Sequence, residues 1–377
     1  MNFLRKSYPL LRRSIVSKIP SHKPHSPSPP LFTRPIFNPN LHSTNKLFSI
    51  KRIPNPFSQR RRFYHSYEDE PEHWYHNFRA VLIVIVVSSG AILTIYFGRF
   101  ETVPCTKRSH LILISPSFER FLGEDEFKEL KKKFKDKILP ANHPDSVRVS
   151  YIANRIIKAL QRGLQHDKQL RSTSEVSSKA TKKKVSVPQT NHLEGLNWEV
   201  LVVKDNSVNA FCLPGGKIVV YTGLLHHFKK NAEIATVLGH EVAHVTARHG
   251  AETITKNLWL AVIRIVFKLI LLEFDMPDLV NEMSTFLLQL PFSRRMEIEA
   301  DYIGLLLMAS AGYDPHVAPR VYEKLGQINK DSALDDYTST HPSSMRRVKM
   351  LSQAQVMERA VSVHKDAVAG HGVSGFL

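Results

Sequence analysis

Residues 240–244 read His-Glu-Val-Ala-His, an HExxH pattern inside an apolar stretch running from Ala232 to Gly250. On a helix, histidines at i and i+4 stand on one face, about 6 Å apart, which lets two ring nitrogens bind one zinc ion. Glu241 then lies beside the metal, where its carboxylate can take a proton from metal-bound water. That is the division of labour in a zinc peptidase. The competing reading makes His240 and His244 ordinary helix residues with local hydrogen bonds. Against it stands the helix itself. It is expected to start at Asn231 and stop at Gly250, and Ile234, Leu238, Val242 and Val245 make it apolar enough to be buried. Buried histidines and a buried carboxylate need partners, and a metal supplies them.

Two histidines leave such a site one ligand short. A histidine six residues after the second one, with glycine midway, is absent: position 247 is Ala and position 250 is Gly. His249 is therefore a poor third ligand. Fifty-odd residues on, Ser293-Arg294-Arg295-Met296-Glu297-Ile298-Glu299-Ala300-Asp301 opens another apolar helix. Glu297 is the natural third ligand. Asp301 lies one turn along the same face, where it can hold a ligand histidine by its other ring nitrogen. Glu299 is expected to point away as a solvated carboxylate.

The elements around these residues follow from charge and periodicity. The net charge of +18 is carried mostly by residues 1–67, which hold thirteen Lys or Arg and no Asp or Glu. Once the charge is seen to sit in this leader, a nucleic-acid-binding surface on the fold is excluded. A basic, Ser- and Pro-rich stretch without acids has the composition of an organelle transit peptide, mitochondrial or alternatively chloroplast. Arg62-Phe63-Tyr64 marks a cleavage point, so 1–64 is assigned to the leader and 65–79 to a juxtamembrane piece. Ala80 to Phe97 carries no formal charge and is flanked by Trp74, Tyr75 and Tyr96, as in a helix crossing a bilayer with aromatic belts; the transmembrane segment is set at 80–98. A buried core helix is the competing reading. Charges on the two flanks give no clear orientation.

Residues 99–163 read as a helical part, with a helix from Ser117 and another over Val147 to Leu160. Asp167 to Asn191, rich in Ser, Lys and Thr, reads as a flexible linker, placed at 164–192. Strands follow at Trp198 to Val203, Ala210 to Leu213 and Lys217 to Tyr221, with Pro214-Gly215-Gly216 as a turn. The strand Asn209, Ala210, Phe211, Cys212 and Leu213, just ahead of the metal helix, can accept an extended substrate by edge pairing; a purely structural hairpin is the alternative. Asn257 to Phe274 is apolar but carries Arg264 and Lys268, which suits contact with a membrane surface. The peptidase domain is bounded at 193–351, and 352–377 forms a C-terminal helix to about Asp366 and a tail. Cys105 and Cys212 make no disulfide framework.

Taken together, Asn209 to Gly216 with Thr222-Gly223-Leu224, the HExxH helix, Ser293-Arg294 with the ExEAD run at 297–301, and His341-Pro342 resemble the HtpX and CAAX-prenyl-protease type of membrane-associated zinc metallopeptidase. Within it, the Oma-type branch of the mitochondrial inner membrane is most similar, having one span ahead of the domain. The resemblance covers Cys105 to Leu351. It implies one zinc ion per chain on His240, His244 and Glu297, with Glu241 as base, His341 near the reacting carbonyl and Arg347 in a supporting position. It also implies an intermembrane-space location, membrane-protein substrates, quality-control and stress roles, self-cleavage and homo-oligomers. The expected fold is α+β: a mostly helical gluzincin-type domain with a small antiparallel edge sheet, preceded by one transmembrane helix. A catalytically silent membrane scaffold of the same fold is the alternative function.

Overall fold

The computed structural model describes residue 75 and residues 77–177, 190–270, 290–328, 341 and 345–370. The leader, the centre of the expected linker and the extreme C-terminus lie outside the described residues. Helix α1, Phe78–Phe97, starts at Asn77, whose side chain accepts from the backbone N–H groups of Arg79 and Ala80. It is twenty residues long and none of its apolar window is buried, the length and composition of a membrane span.

A hairpin follows directly. Strands β1 (Arg99–Thr102) and β2 (Ser109–Ile112) pair antiparallel, with Glu101 opposite His110. This corrects the expectation that residues 99–163 are helical throughout. Four residues per strand are too short for a period-2 signal to stand out, and Cys105 and Lys107 in the connection adopt left-handed backbone conformations that nothing in their side chains announces. Helix α2, Pro116–Lys133, is capped by Ser115, and Pro116 holds the first helical position. Helix α3 runs from Pro144 to Ser177. Residues 164–177 of the expected linker are therefore helical. Polar residues can ride on a helix end that is already nucleated, so composition alone places such a boundary poorly.

Strands β3 (Glu199–Val203), β4 (Ala210–Leu213) and β5 (Lys217–Tyr221) form a sheet in the order β3-β5-β4. The sheet is mixed: β5 runs antiparallel to β4 but parallel to β3, with Val202 opposite Val220. An all-antiparallel sheet was the expectation, and the three-residue turn Pro214-Gly215-Gly216, its glycines at φ of +87° and +85°, does make β4 and β5 a hairpin. The connection from β3 instead crosses over to place β5 in the middle.

Helices α4 (Thr222–His227), α5 (Asn231–Thr246), α6 (His249–Ile270), α7 (Leu290–Ser310), α8 (Val317–Ile328), α9 (Met345–Leu351) and α10 (Ala354–Val368) complete the described chain. One core holds the domain: Ile152, Ile156 and Leu160 of α3, Ile218 and Val220 of β5, Ile234, Leu238 and Val242 of α5, and Ile303, Leu306 and Leu307 of α7 all pack into it. α5 and α7 touch backbone to backbone. A Cβ on Gly239 would lie 2.8 Å from the Gly304 carbonyl oxygen, so only glycine fits there.

α5 does not run on to Gly250. It ends at Thr246, Arg248 takes a left-handed φ of +53°, and α6 starts at His249. A left-handed non-glycine residue costs on the order of 1 kcal/mol. Here the side chain offsets it: Arg248 Nη1 donates to both oxygens of Glu101 at 2.7 and 2.8 Å, and Nε to Glu119 at 2.9 Å. One buried arginine thus ties the end of α5 to β1 and α2.

Candidate metal centre and active site

The helix α5 turns one face into the core and carries His240, Glu241 and His244 on its inner side, with His240 and Glu241 fully or nearly fully buried. α7 crosses it at Gly304 and brings Glu297 and Asp301 to the same place. His341 joins from the segment between α8 and α9. One nitrogen or oxygen atom from each of His240, His244, Glu297 and His341 lies within 4.8 Å of the others. Glu297 is 3.2 Å from His240 Nε2 and 3.4 Å from His244 Nε2. So the three residues read from the sequence as ligands converge, and His341 stands beside them.

The electrostatics favour a cation at this point. Burial works against charge on His240, yet hydrogen bonds from its ring to Asp301 and Glu297 outweigh it and push its pKa up to about 9. The carboxylates that raise it, Asp301 and Glu297, would favour a bound cation in the same way once the ring has given up its proton. Glu297 is held well below the usual carboxylate range: burial opposes this, but the surrounding histidines prevail. Two imidazoles and a carboxylate within ligand distance fit zinc or a similar divalent ion.

The neighbours of these groups are ordered too. Asp301 sits 2.9 Å from His240 Nδ1, and Arg347 donates to its two oxygens at 2.7 Å each. Arg347 is itself buried over the Tyr322 ring, 4.5 Å from its centroid. Glu241 has one carboxylate oxygen, Oε1, with no hydrogen-bond partner among the described residues. Burial pushes its carboxyl pKa up, against the opposing charges of His341 and His240. His341 Nε2 is 3.6 Å from Glu241 Oε1. Asn209 is buried at the start of β4, and Ala210, Phe211, Cys212 and Leu213 form that strand, which pairs with β5 alone among the described strands. Burial pushes the Cys212 thiol up, with the Glu241 charge adding to it.

The expectation for Glu299 is corrected. It is buried, accepts from the Thr106 hydroxyl and from Arg108 Nε at 2.7 Å, and faces His249 Nε2 at 3.1 Å. Arg108 also forks onto Glu252 of α6, at 3.1 and 2.7 Å. His110 and Lys256 bond Glu252 as well. None of this cluster was read from the sequence. A signal existed: Glu252 and Glu299 are carboxylates in helices otherwise apolar enough to be buried, and such groups need cationic partners.

The chain matches the model of peptidase family M48 over residues 168–355. It is 48% identical to the mitochondrial metalloendopeptidase OMA1 of Arabidopsis thaliana, over 86% of this chain and 77% of that protein. The proteins of the same name from Schizosaccharomyces pombe and Saccharomyces cerevisiae are 33% and 32% identical, covering 78% and 70% of this chain and 77% and 71% of theirs. With HExxH on α5 and a buried carboxylate on α7 arranged as described, the chain belongs to peptidase family M48, among its mitochondrial metalloendopeptidases.

Proposed function

We propose that this protein is a zinc endopeptidase of the mitochondrial inner membrane, anchored by α1, that cuts membrane proteins on the intermembrane-space side. The observation that carries the reading is the convergence of His240, His244 and Glu297 beside the orphaned carboxylate oxygen of Glu241. His240, His244 and Glu297 would hold the zinc ion. Bound there, zinc polarises a carbonyl and lowers the pKa of its water to about 7. Glu241, its own pKa raised by burial, receives the proton from the attacking water and passes it to the leaving amine. His341, beside Glu241 and Glu297, would lie near the reacting carbonyl and donate a hydrogen bond to the developing oxyanion. Arg347 and Asp301 hold His240 in place. β4, the outer strand of its sheet, would offer its edge to an extended substrate.

The membrane reading rests on α1 and on its neighbour. α6 packs against α1, with Trp259 and Val262 meeting it at Gly90. Beyond that contact Ile263, Ile265, Phe267 and Ile270 are exposed and apolar. They continue the apolar surface of α1, as contact with lipid requires, while Arg264 and Lys268 can reach the headgroups along their aliphatic stems. Self-cleavage and assembly with further copies belong to the same reading.

Glu241→Gln tests it. The full-length variant in its membrane should bind zinc as the parent does and cleave at least 100-fold more slowly. Cleavage at the parental rate would overturn the assignment of the base. Undiminished cleavage in both after chelation would overturn the metal.

A further inference from the structure

The two metal-facing histidines are each backed by a chain of groups ending on an arginine. For His240 that chain is Asp301 and Arg347. For His244 it is longer. His244 Nδ1 lies 2.9 Å from His249 Nδ1, and His249 Nε2 lies 3.1 Å from Glu299 Oε2. Glu299 is gripped by the Thr106 hydroxyl and Arg108. Thr106 and Arg108 belong to the connection between β1 and β2, the hairpin that begins two residues after α1 ends.

The proton positions along this chain follow from its end. An ionised carboxylate only accepts, so His249 carries its proton on Nε2 and donates it to Glu299. In the neutral ring, His249 Nδ1 is then an acceptor. Two facing nitrogens share one proton, so His244 must carry its own on Nδ1. That leaves the lone pair on His244 Nε2, the atom that faces His240 Nε2 at 3.1 Å and Glu297 at 3.4 Å. The other tautomer of His244 would put a proton where the metal belongs.

We propose that His249 and Glu299, held by Thr106 and Arg108, are positioning residues that fix His244 in its metal-binding tautomer, so that the membrane-proximal hairpin helps to set the metal affinity. The inference rests on the zinc reading above and assigns these residues no contact with substrate. It makes the first structure after the span a part of the metal site: displacing the β1–β2 connection loosens Glu299, then His249, then the tautomer of His244.

The test uses the full-length protein in detergent, its zinc affinity measured by competition with a chelating dye and its melting temperature measured without metal. His249→Phe keeps the bulk and removes both nitrogens; zinc affinity should fall about 10- to 100-fold. Glu299→Gln, which can still accept but lacks charge, should fall less. The double variant should be no weaker than His249→Phe alone, because Glu299 acts through His249. A merely structural role would lower the melting temperature of the metal-free protein and leave zinc affinity within twofold, and that result overturns the proposal. So does a double variant whose losses multiply. Should His249→Phe fail to fold, Thr106→Val reads the same chain from its far end, with a several-fold loss of affinity expected and no loss overturning it. A parent protein that binds no zinc would instead sink the metal-centre reading itself.

Discussion

Asp301 Oδ1 stands 2.9 Å from His240 Nδ1, one turn of α7 beyond Glu297, so a single helix both faces the metal position and braces a residue of the other helix. Replacing Asp301 by Asn should leave a donor opposed to Arg347 and a weaker acceptor for the histidine. Zinc affinity should drop about 10- to 100-fold, with peptidase activity restored in part by excess zinc. Metal titration of the purified protein reads this directly; unchanged affinity would remove Asp301 from the site.

Arg248 makes the second specific case. Its guanidinium is buried against Glu101 and Glu119. Glu101→Gln strips one charge from that arrangement and should destabilise the fold by about 3 kcal/mol, because it leaves a buried cation partly uncompensated. Arg248→Met alone should cost a similar amount, since it orphans two carboxylates. The double variant should cost clearly less than the two added together, as denaturant titration will show; simple additivity would mean the pair carries no coupling.

How much of this was legible beforehand divides along physical lines. His240, Glu241 and His244 are spaced by one helix, so their geometry is local and the sequence states it. Glu297 and Asp301 are also one helix apart, and chemical need sufficed to join them to α5. What stayed hidden is whatever depends on non-local pairing: the β1–β2 hairpin, the parallel pairing of β3 with β5, and the cluster of Arg108, Glu252 and Glu299, whose members are separated by 144 and 191 positions. The left-handed Arg248 was hidden for another reason. Its conformation is held by ion pairs, not by anything intrinsic to arginine.

His192 predicts a pH dependence. It is buried, its Nε2 donates to the Thr246 carbonyl, and burial together with the charge of Arg248 lowers its pKa to about 3. An unfolded chain protonates this histidine near pH 6.5 while the folded one does not. The unfolded state therefore binds the extra proton, and stability falls as pH drops from about 6.5 towards 3. In metal-free protein, His192→Gln should flatten the loss between pH 6 and 4 by up to about 1.4 kcal/mol per pH unit. Denaturant midpoints across that range, identical in slope for both proteins, would contradict it.

Gly304→Ala reaches the metal site through the backbone, without altering any ligand side chain. The added Cβ would fall 2.7 Å from the backbone nitrogen of His240, so α5 and α7 must separate. A loss of about 1–3 kcal/mol in stability is expected, together with weaker zinc binding, since Glu297 and His240 ride on the two helices forced apart. Zinc affinity equal to the parent's would show that the helices yield elsewhere.

Under the proposed function a substrate would pair with the edge of β4, and a sheet edge consists of main-chain groups alike in every polypeptide. An edge of this kind cannot spell out a sequence. What it can sense is whether a stretch of chain is straight. A segment wound into a helix has its N–H and C=O groups engaged with one another and offers nothing to pair. Once pulled out or left without its partners, the same segment fits. Selection at such a site would be by the loss of a protein's own folding, and a membrane protein with its backbone groups already taken would be spared.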